Sequence, residues 1–384
     1  MNKQTRRRVA AFSMASLLND VGADMIKPLW PIFITSSLGA PAVFLGLLDG
    51  LGQLVSYMTR FPFGMYSDKW KRKPFVVTGY LFAGVSRIGY AFSGTPAGAF
   101  FSHIIDRTGK GMRDAPRDAL LASGTIRRER GRAFGTLRAM DYLGGTIGPL
   151  LAYMLISFMS LRTMFLLAAI PSLIGAVMIS LMVKEKFHDG VSRAAFRWRE
   201  LTREYKAVFW ISGLFALSWF SISFMILYAT THGVPAAQAP LLYLTYSLTA
   251  ACMAYPAGRL SDAIGRKTVL MAGYTMFGIT MAAFTLVASP DMFFLLFFLY
   301  GLHYGVIEAL QSSYVSDMVK DEHRASAIGL FQGLWGICLL PASLVAGFLW
   351  DNVAQWAPFL YGAVVATIAV LLFAYKVPER YHRL

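Results

Sequence analysis

Stretches of about 20 mostly apolar residues recur along the whole chain, and each is long enough to cross a bilayer as an α-helix. The chain has 384 residues, of which 56% are hydrophobic and 15% charged. Soluble domains carry about 25% charged residues, and a soluble chain needs them to cover its surface. The sequence therefore predicts an all-α polytopic membrane protein. Twelve spans are expected, near residues 9–33, 41–65, 74–94, 97–123, 132–157, 161–183, 206–231, 236–258, 268–288, 291–316, 325–350 and 356–377.

Lys and Arg cluster at the N-terminus, at the C-terminus and in every second connection between the apolar stretches. Basic residues concentrate in the cytoplasmic loops of membrane proteins. We therefore expect a multi-pass protein of the cytoplasmic (inner) membrane with both termini in the cytoplasm. The net charge of +15 is divided among these short loops. That distribution favours a role in topology and argues against a nucleic-acid partner.

An internal repeat relates the two halves of the chain. Residues 64–73 (GMYSDKWKRK) match residues 258–267 (GRLSDAIGRK), and Arg130 matches Arg324 at the same offset of 194 residues. A single offset that serves several spans indicates two copies of one structural unit. The predicted parts are an N-terminal six-helix bundle (1–183), a cytoplasmic linker (184–205) and a C-terminal six-helix bundle (206–384).

The repeated loop G-x-x-x-D-x-x-x-R-K follows the second span of each half. It resembles the best-known motif of the major facilitator superfamily, and the resemblance covers nearly the whole chain. Residues 19–31, 106–120 and 340–347 also resemble one prokaryotic group of that superfamily. The resemblance implies two pseudo-symmetric bundles whose first, fourth, seventh and tenth spans line a central cavity. It also implies a latch at the cytoplasmic gate, formed by Gly64, Asp68, Arg72, Lys73, Glu129, Arg130, Gly258, Asp262, Arg266, Lys267 and Arg324.

Charged side chains inside the predicted spans concentrate on the first and fourth spans. A charge at the bilayer centre costs at least about 2.5–3.5 kcal/mol, so such residues mark transport pathways or paired networks. Asp20, Asp24 and Glu308 are the candidates for proton binding. For Arg107, Arg138 and Asp141, a role in helix packing or gating is favoured. The expected residues of the proton-coupling and substrate cavity are Asp20, Asp24, Lys27, Asp49, Arg107, Lys110, Arg113, Asp114, Arg117, Asp118, Tyr300, His303, Tyr304, Glu308 and Gln311.

The fifth predicted span contains Gly144, Gly148 and Pro149 in a G-x-x-x-G-P arrangement, which is similar to a motif of facilitator exporters. Small residues four apart allow close contact between helices. The sequence lacks a P-loop, a metal-binding motif and an evident nucleophile–base pair. We therefore expect no enzyme activity, no cofactor and no bound metal.

These features predict a secondary active transporter that moves a small solute by alternating access, with proton-coupled export (antiport) as the leading hypothesis. Within transport, the alternatives are an uptake symporter and a divalent metal cation transporter that uses Asp20, Asp24 and Asp49. From another class, the alternative is a non-transporting membrane sensor or assembly partner with a transporter fold. The expected partners are a small-molecule substrate, protons and membrane lipid, and a monomer is expected.

Overall fold

The structure is a computed structural model that describes residues 3–123, 125, 129–183, 185, 198, 201–287, 289–319 and 324–377. Nearly all of these residues are helical, and none of them is in a strand. The helices are α1 (Lys3–Ile26), α2 (Trp30–Ile32), α3 (Ala42–Lys69), α4 (Arg72–Phe92), α5 (Pro96–Ser123), α6 (Arg130–Leu155), α7 (Leu161–Met182), α8 (Arg203–Ser218), α9 (Ile222–Thr231), α10 (Ala239–Ile264), α11 (Arg266–Phe284), α12 (Met292–Ser316), α13 (Arg324–Asn352) and α14 (Ala357–Lys376).

The twelve predicted spans fall on these helices, and two spans are interrupted. In the first span, α1 ends at Ile26 and is followed by α2 and a π-helical turn at Phe33–Ser37. Pro28 and Pro31 lie in this stretch, and proline breaks the backbone hydrogen-bond ladder because it has no N–H group. In the seventh span, α8 and α9 are separated by residues 219–221.

Eight helical stretches in the described residues are both long and apolar enough to cross a membrane: Thr5–Ile26, Ala42–Ser67, Arg72–Phe92, Leu161–Met182, Arg203–Thr231, Met292–Ser316, Ala327–Asn352 and Ala357–Lys376. The fourth predicted span, on α5, is absent from this set. It carries seven charged residues: Asp106, Arg107, Lys110, Arg113, Asp114, Arg117 and Asp118. A helix with that many charges must pair or hydrogen-bond most of them inside the protein if it is to lie in a bilayer.

The helices form two compact units. The first comprises Met1–Ala40, Gly52–Ser192 and Ala236–Leu244, and the second comprises Pro41–Leu51, Arg193–Pro235 and Thr245–Leu384. Of the predicted linker, the structure describes only residues 185, 198 and 201–205.

Helix packing within the first unit brings α1 and α5 into its interior. The helix α4 packs against α5 and α7, and α1 packs against α6 and α7. A buried hydrophobic cluster that includes Phe12, Tyr80, Leu121, Leu137 and Ile179 joins these helices. Apolar packing between these helices therefore holds α5, with its charged residues, in place.

Packing within the second unit is dominated by aromatic side chains. The helix α11 packs against α12 and α14, and α8 packs against α13 and α14. Phe215 and Tyr274 are fully buried, and their rings stack with centroids 3.7 Å apart. Phe284 and Phe359 stack at 4.9 Å in the same way. Such pairs give the unit a rigid core, because stacked aromatic rings add attraction beyond their burial.

Candidate functional site

The aspartates of α1, α5 and α6 are almost all bonded to a base in the first unit. The pairs are Asp24 with Lys27, Asp106 with Arg107 at 3.4 Å, Asp114 with Arg60 at 2.7 Å and with Arg113 at 3.6 Å, Asp118 with Arg117 at 3.1 Å, and Asp141 with Arg138 at 3.3 Å. Most of the predicted cavity residues of this half are thereby placed in ion pairs. Where both partners are buried, as in Asp114 with Arg113, removal of one partner is costly because it leaves an uncompensated charge.

Asp20 differs from these aspartates. Its carboxylate oxygen Oδ1 accepts a hydrogen bond of 2.9 Å from the side-chain amide of Asn19, and no Lys or Arg within the described part of the chain bonds to it. Arg113 and Lys27 act on Asp20 only through space, as do the negative charges of Asp24 and Asp141. Asp20 is therefore a half-buried carboxyl group that can bind or release a proton without breaking an ion pair.

Asn19 connects Asp20 to a buried basic group that the sequence analysis missed. The side-chain oxygen of Asn19 accepts hydrogen bonds from Ser172 at 2.8 Å, from Arg113 at 3.1 Å and from Arg87 at 3.3 Å. Arg87 also donates to the backbone oxygens of Ala168 and Asn19 and to the hydroxyl of Ser172. Its guanidinium group is thus held by uncharged oxygens. The sequence contains a signal that could have identified Arg87, since Arg87 is a lone charged residue inside an apolar span.

The basic residues of α5 do not share one environment. Arg113 and Arg117 are buried, at 7% and 6% exposure. The guanidinium of Arg113 lies 4.7 Å from the centre of the Tyr80 ring, and Arg117 donates to the Ser16 hydroxyl at 3.1 Å. Lys110 is half-buried and makes no hydrogen bond or ion pair with the described residues. Of these three bases, Lys110 is therefore the one whose charged group has no bonded partner among the described residues.

Tyr243 belongs to the first unit and bonds to the same carboxylate as Lys27. Its hydroxyl donates to Asp24 Oδ1 at 3.3 Å, and the Lys27 ammonium lies 6.0 Å from its ring centre. Asp24 is 7% exposed, so this arrangement satisfies a buried charge. Sequence reasoning missed Tyr243, because no pattern within its own helix links it to α1.

Two glycines of the G-x-x-x-G-P motif place α6 directly against the acidic part of α1. A Cβ atom at Gly144 would lie 2.8 Å from Asp20 Cβ and 2.9 Å from the Leu17 backbone oxygen. One at Gly148 would lie 2.8 Å from the Met25 backbone nitrogen. Only glycine permits helix axes to approach this closely. The motif therefore fixes the backbone that carries Asp20.

The predicted cavity residues of α12 separate into buried and exposed groups. Tyr300 and His303 are buried at 2% and 0% exposure, whereas Tyr304 and Gln311 are half-buried. Glu308 is exposed and has no hydrogen-bond or ion-pair partner among the residues described. The structure thus does not bring Glu308 into the core of the unit with Tyr300.

Asp49 lies in the second unit beside the break between α8 and α9. Its carboxylate accepts a hydrogen bond of 2.6 Å from the hydroxyl of Ser221, which in turn accepts one of 3.2 Å from the Ser223 amide. Ser221 is the N-cap of α9. The carboxylate therefore sits at the N-terminal end of a helix, where negative charge is favourable.

The predicted gate residues make different contacts in the two halves. In the first, the Glu185 carboxylate accepts hydrogen bonds from the backbone amides of Arg72 and Lys73, at 2.8 and 2.9 Å. In the second, Arg266 pairs with Asp317, while Asp262 is exposed. Side chains outside the described part of the structure are those of Asp68, Arg130 and Arg324. The remaining gate residues are half-buried, namely Gly64, Glu129, Gly258 and Lys267.

Within the described residues, no three His, Cys, Asp or Glu side chains are grouped as the ligands of a metal ion. Around Asp24, the bonded Lys27 ammonium occupies the position that a cation would need.

Comparison with known proteins decides the family. The family model for the Major Facilitator Superfamily matches residues 12–228 and 208–384, which together cover nearly the whole chain. The chain belongs to the Major Facilitator Superfamily. It is therefore a multi-pass membrane transporter with a small-molecule substrate, and the family points to a transporter and not to an enzyme.

Two relatives of this facilitator match it over most of their length. An uncharacterized MFS-type transporter of Methanocaldococcus jannaschii is 36% identical over 97% of this chain and 96% of its own. The multidrug resistance protein MdtH of Photorhabdus laumondii is 27% identical over 91% of this chain and 89% of its own. Among solved structures, a POT family transporter in complex with 5-aminolevulinic acid superposes with a TM-score of 0.81 at 13% identity, covering 96% of each chain. That last similarity concerns the fold alone.

Proposed function

We propose that this facilitator exports a small organic solute in exchange for protons, by alternating access, and that Asp20 is the proton-binding group. One observation carries the proposal. Of the six aspartates in α1, α5 and α6, only Asp20 lacks a bonded Lys or Arg among the described residues. Each of the other five has a bonded Lys or Arg.

The environment of Asp20 supports coupling to movement of the helices. Asn19 holds its carboxylate and also bonds to Arg87 and Arg113, so a shift of α4 or α5 acts on Asp20 through one amide group. Gly144 of α6 lies against Asp20 from another side. A group held by three neighbouring helices changes its surroundings when any of them moves, which is what coupling requires.

Export is favoured by two independent features. Several relatives that are 25–27% identical carry the name multidrug resistance protein MdtH. The G-x-x-x-G-P motif of the fifth span, similar to that of facilitator exporters, packs against the acidic segment of α1. We propose the antiport direction on these grounds.

The finer topology belongs to the same proposal. Residues 1–183 and 206–384 would form the two halves, joined by residues 184–205 as a cytoplasmic linker. The protein would be a monomer in the inner membrane, with both termini in the cytoplasm. Support comes from the basic clusters in alternate connections. The loop residues Arg72, Lys73, Arg266 and Lys267 would act at the cytoplasmic gate.

Proton-linked transport is testable in proteoliposomes loaded with the pH indicator pyranine and supplied with a panel of organic solutes. For the wild-type protein we expect at least one solute to drive proton movement, and an imposed pH gradient to drive that solute. In Asp20→Asn, proton movement should fall to the level of protein-free liposomes, because an amide cannot carry the proton, while solute exchange without a gradient persists.

Asp291→Asn is the matched control, since Asp291 is exposed at the start of α12. It should couple as the wild-type protein does. Unchanged proton coupling in Asp20→Asn would refute the role of Asp20. Wild-type protein that moves protons with none of the solutes would contradict proton-coupled export and would favour a sensor.

A further inference from the structure

An aromatic cluster in the second unit surrounds the break between α8 and α9. Trp219 is the first residue after α8 and is half-buried. Its ring centroid lies 5.4 Å from those of His303 and Trp335 and 5.7 Å from that of Tyr304. Discontinuous spans frequently form substrate sites in secondary transporters, because their backbone is not committed to one helix.

Two polar atoms in this cluster are buried and have no hydrogen-bond partner in the described structure: the imidazole Nε2 of His303 and the indole Nε1 of Trp335. His303 is fully buried, and Trp335 is 9% exposed. A buried polar atom without a hydrogen-bond partner lowers the stability of the fold by about 1–3 kcal/mol, so native proteins rarely contain one without a reason.

The two atoms without hydrogen-bond partners have opposite characters, since one is a donor and the other an acceptor. The indole Nε1–H of Trp335 can only donate. The Nδ1 atom of His303 lies 3.3 Å from the Leu299 backbone oxygen, which can only accept, so Nδ1 carries the proton. In the neutral ring Nε2 is then an acceptor. Both rings contact Trp219, so the donor and the acceptor belong to two neighbours of one half-buried indole. Phe277 stacks on one face of that indole at 5.4 Å, so a solute would stack on the opposite face.

The charges of the second unit limit the solute further. Its described Lys and Arg residues lie within the first or last two turns of their helices: Arg203, Lys206, Arg259, Arg266, Lys267 and Lys376. The acids Asp49 and Glu308 are the charges within its apolar spans. A carboxylate or phosphate on the solute would therefore meet repulsion, and no base described within the apolar spans of this unit would offset it.

We propose that Trp219, His303 and Trp335 form a subsite for a planar nitrogen heteroaromatic solute without negative charge. The solute stacks on Trp219, accepts a hydrogen bond from Trp335 Nε1 and donates one to His303 Nε2. This inference deepens the proposed function by naming the substrate class, and it rests on that function for its biological role.

Benzimidazole is the probe, because it is planar and carries one N–H donor and one nitrogen acceptor. Binding is measured by isothermal titration and thermal shift on purified protein at fixed pH. We expect benzimidazole to bind, and 1-methylbenzimidazole (no donor) and indole (no acceptor) to bind about threefold to tenfold more weakly, as expected for the loss of one hydrogen bond. Indane, which lacks both nitrogens, and benzimidazole-2-carboxylate should bind more weakly still.

Trp335→Phe keeps an aromatic ring but removes the N–H group. It should weaken benzimidazole and 1-methylbenzimidazole about threefold to tenfold and leave indole unchanged, because indole has no acceptor for that group. Trp219→Leu should weaken all three ligands by about tenfold or more, as expected for the loss of a stacking surface. The control Trp356→Phe alters a tryptophan that is 45% exposed and should change nothing.

Equal affinities of the wild-type protein for benzimidazole, its methyl derivative and indole would overturn the proposal, and this comparison needs no variant to fold. An equal loss of indole affinity in Trp335→Phe would overturn it as well. Absent benzimidazole binding would also overturn the subsite, but it would leave proton-coupled export standing, because the binding measurement involves no pH gradient. Failure of proton coupling in liposomes, conversely, leaves the binding result intact.

Discussion

Replacing Asp114 by Asn should destabilise the protein by roughly 3–5 kcal/mol, the range seen when one partner of a buried ion pair is removed. Asp114 forms ion pairs with Arg60 at 2.7 Å and with Arg113 at 3.6 Å, and its side chain is only 9% exposed. The amide has nearly the same size but no charge. Arg113, whose side chain is 8% exposed, would then lack its counter-charge in surroundings where water cannot replace it, whereas Arg60 is 39% exposed and remains open to water.

Asp118→Asn is the control for that substitution. Asp118 pairs with Arg117 at 3.1 Å on the same helix, but its side chain is 37% exposed. Pairs open to solvent contribute about 0–1 kcal/mol, so this variant should remain close to the wild-type protein. Reversible unfolding in detergent micelles, followed by circular dichroism, measures both free energies. Similar losses in the two variants would show that the charge network around Asp114 does not stabilise the unit.

Replacing Gly148 by Ala should have the second large effect, a loss of roughly 1–3 kcal/mol from overpacking. The added Cβ atom would lie 2.5 Å from the Val21 backbone oxygen and 2.8 Å from the Met25 backbone nitrogen. Both are backbone atoms, so no flexible side chain can move aside. The helices α1 and α6 must separate, and Asp20 and Asp24 move with α1.

Gly135→Ala on the same helix α6 is the matched control. A Cβ atom at Gly135 would meet nothing within 4 Å, and Ala favours a helix over Gly by up to about 1 kcal/mol. This variant should therefore unfold at the same or a higher temperature. Thermal unfolding of the purified proteins, together with proton-coupled flux, distinguishes the two substitutions. A Gly148→Ala protein with wild-type stability and flux would refute close α1–α6 contact as a requirement.

The sequence predicted the helices well, because the length of an apolar stretch decides whether it can span a bilayer. The concentration of charge on α1 and α5 was equally visible. Helical spacing shows which residues share a face of one helix, but it carries no information about which face of another helix they meet. For this reason the bonds of Asn19 to Arg87 and Ser172 could not be predicted.

Glu308 and Trp335 illustrate the same difficulty in the second unit. Helical spacing grouped Glu308 with Tyr300 and Tyr304, yet Glu308 is exposed while Tyr300 is buried. Trp335 stands in an apolar span in which a tryptophan has no distinguishing pattern. The structure shows that its indole Nε1 is buried without a hydrogen-bond partner and that its ring lies 5.4 Å from that of Trp219. The physical cause is that burial depends on neighbouring helices.

The break between α8 and α9 has a mechanical consequence. Residues 219–221 lie between the two helices, so a change in the angle between α8 and α9 would break no hydrogen bond inside either helix. Trp219 stands at the pivot. A molecule stacked on its indole ring would therefore restrict changes in the angle between α8 and α9. A change in that angle would in turn weaken the binding of the molecule.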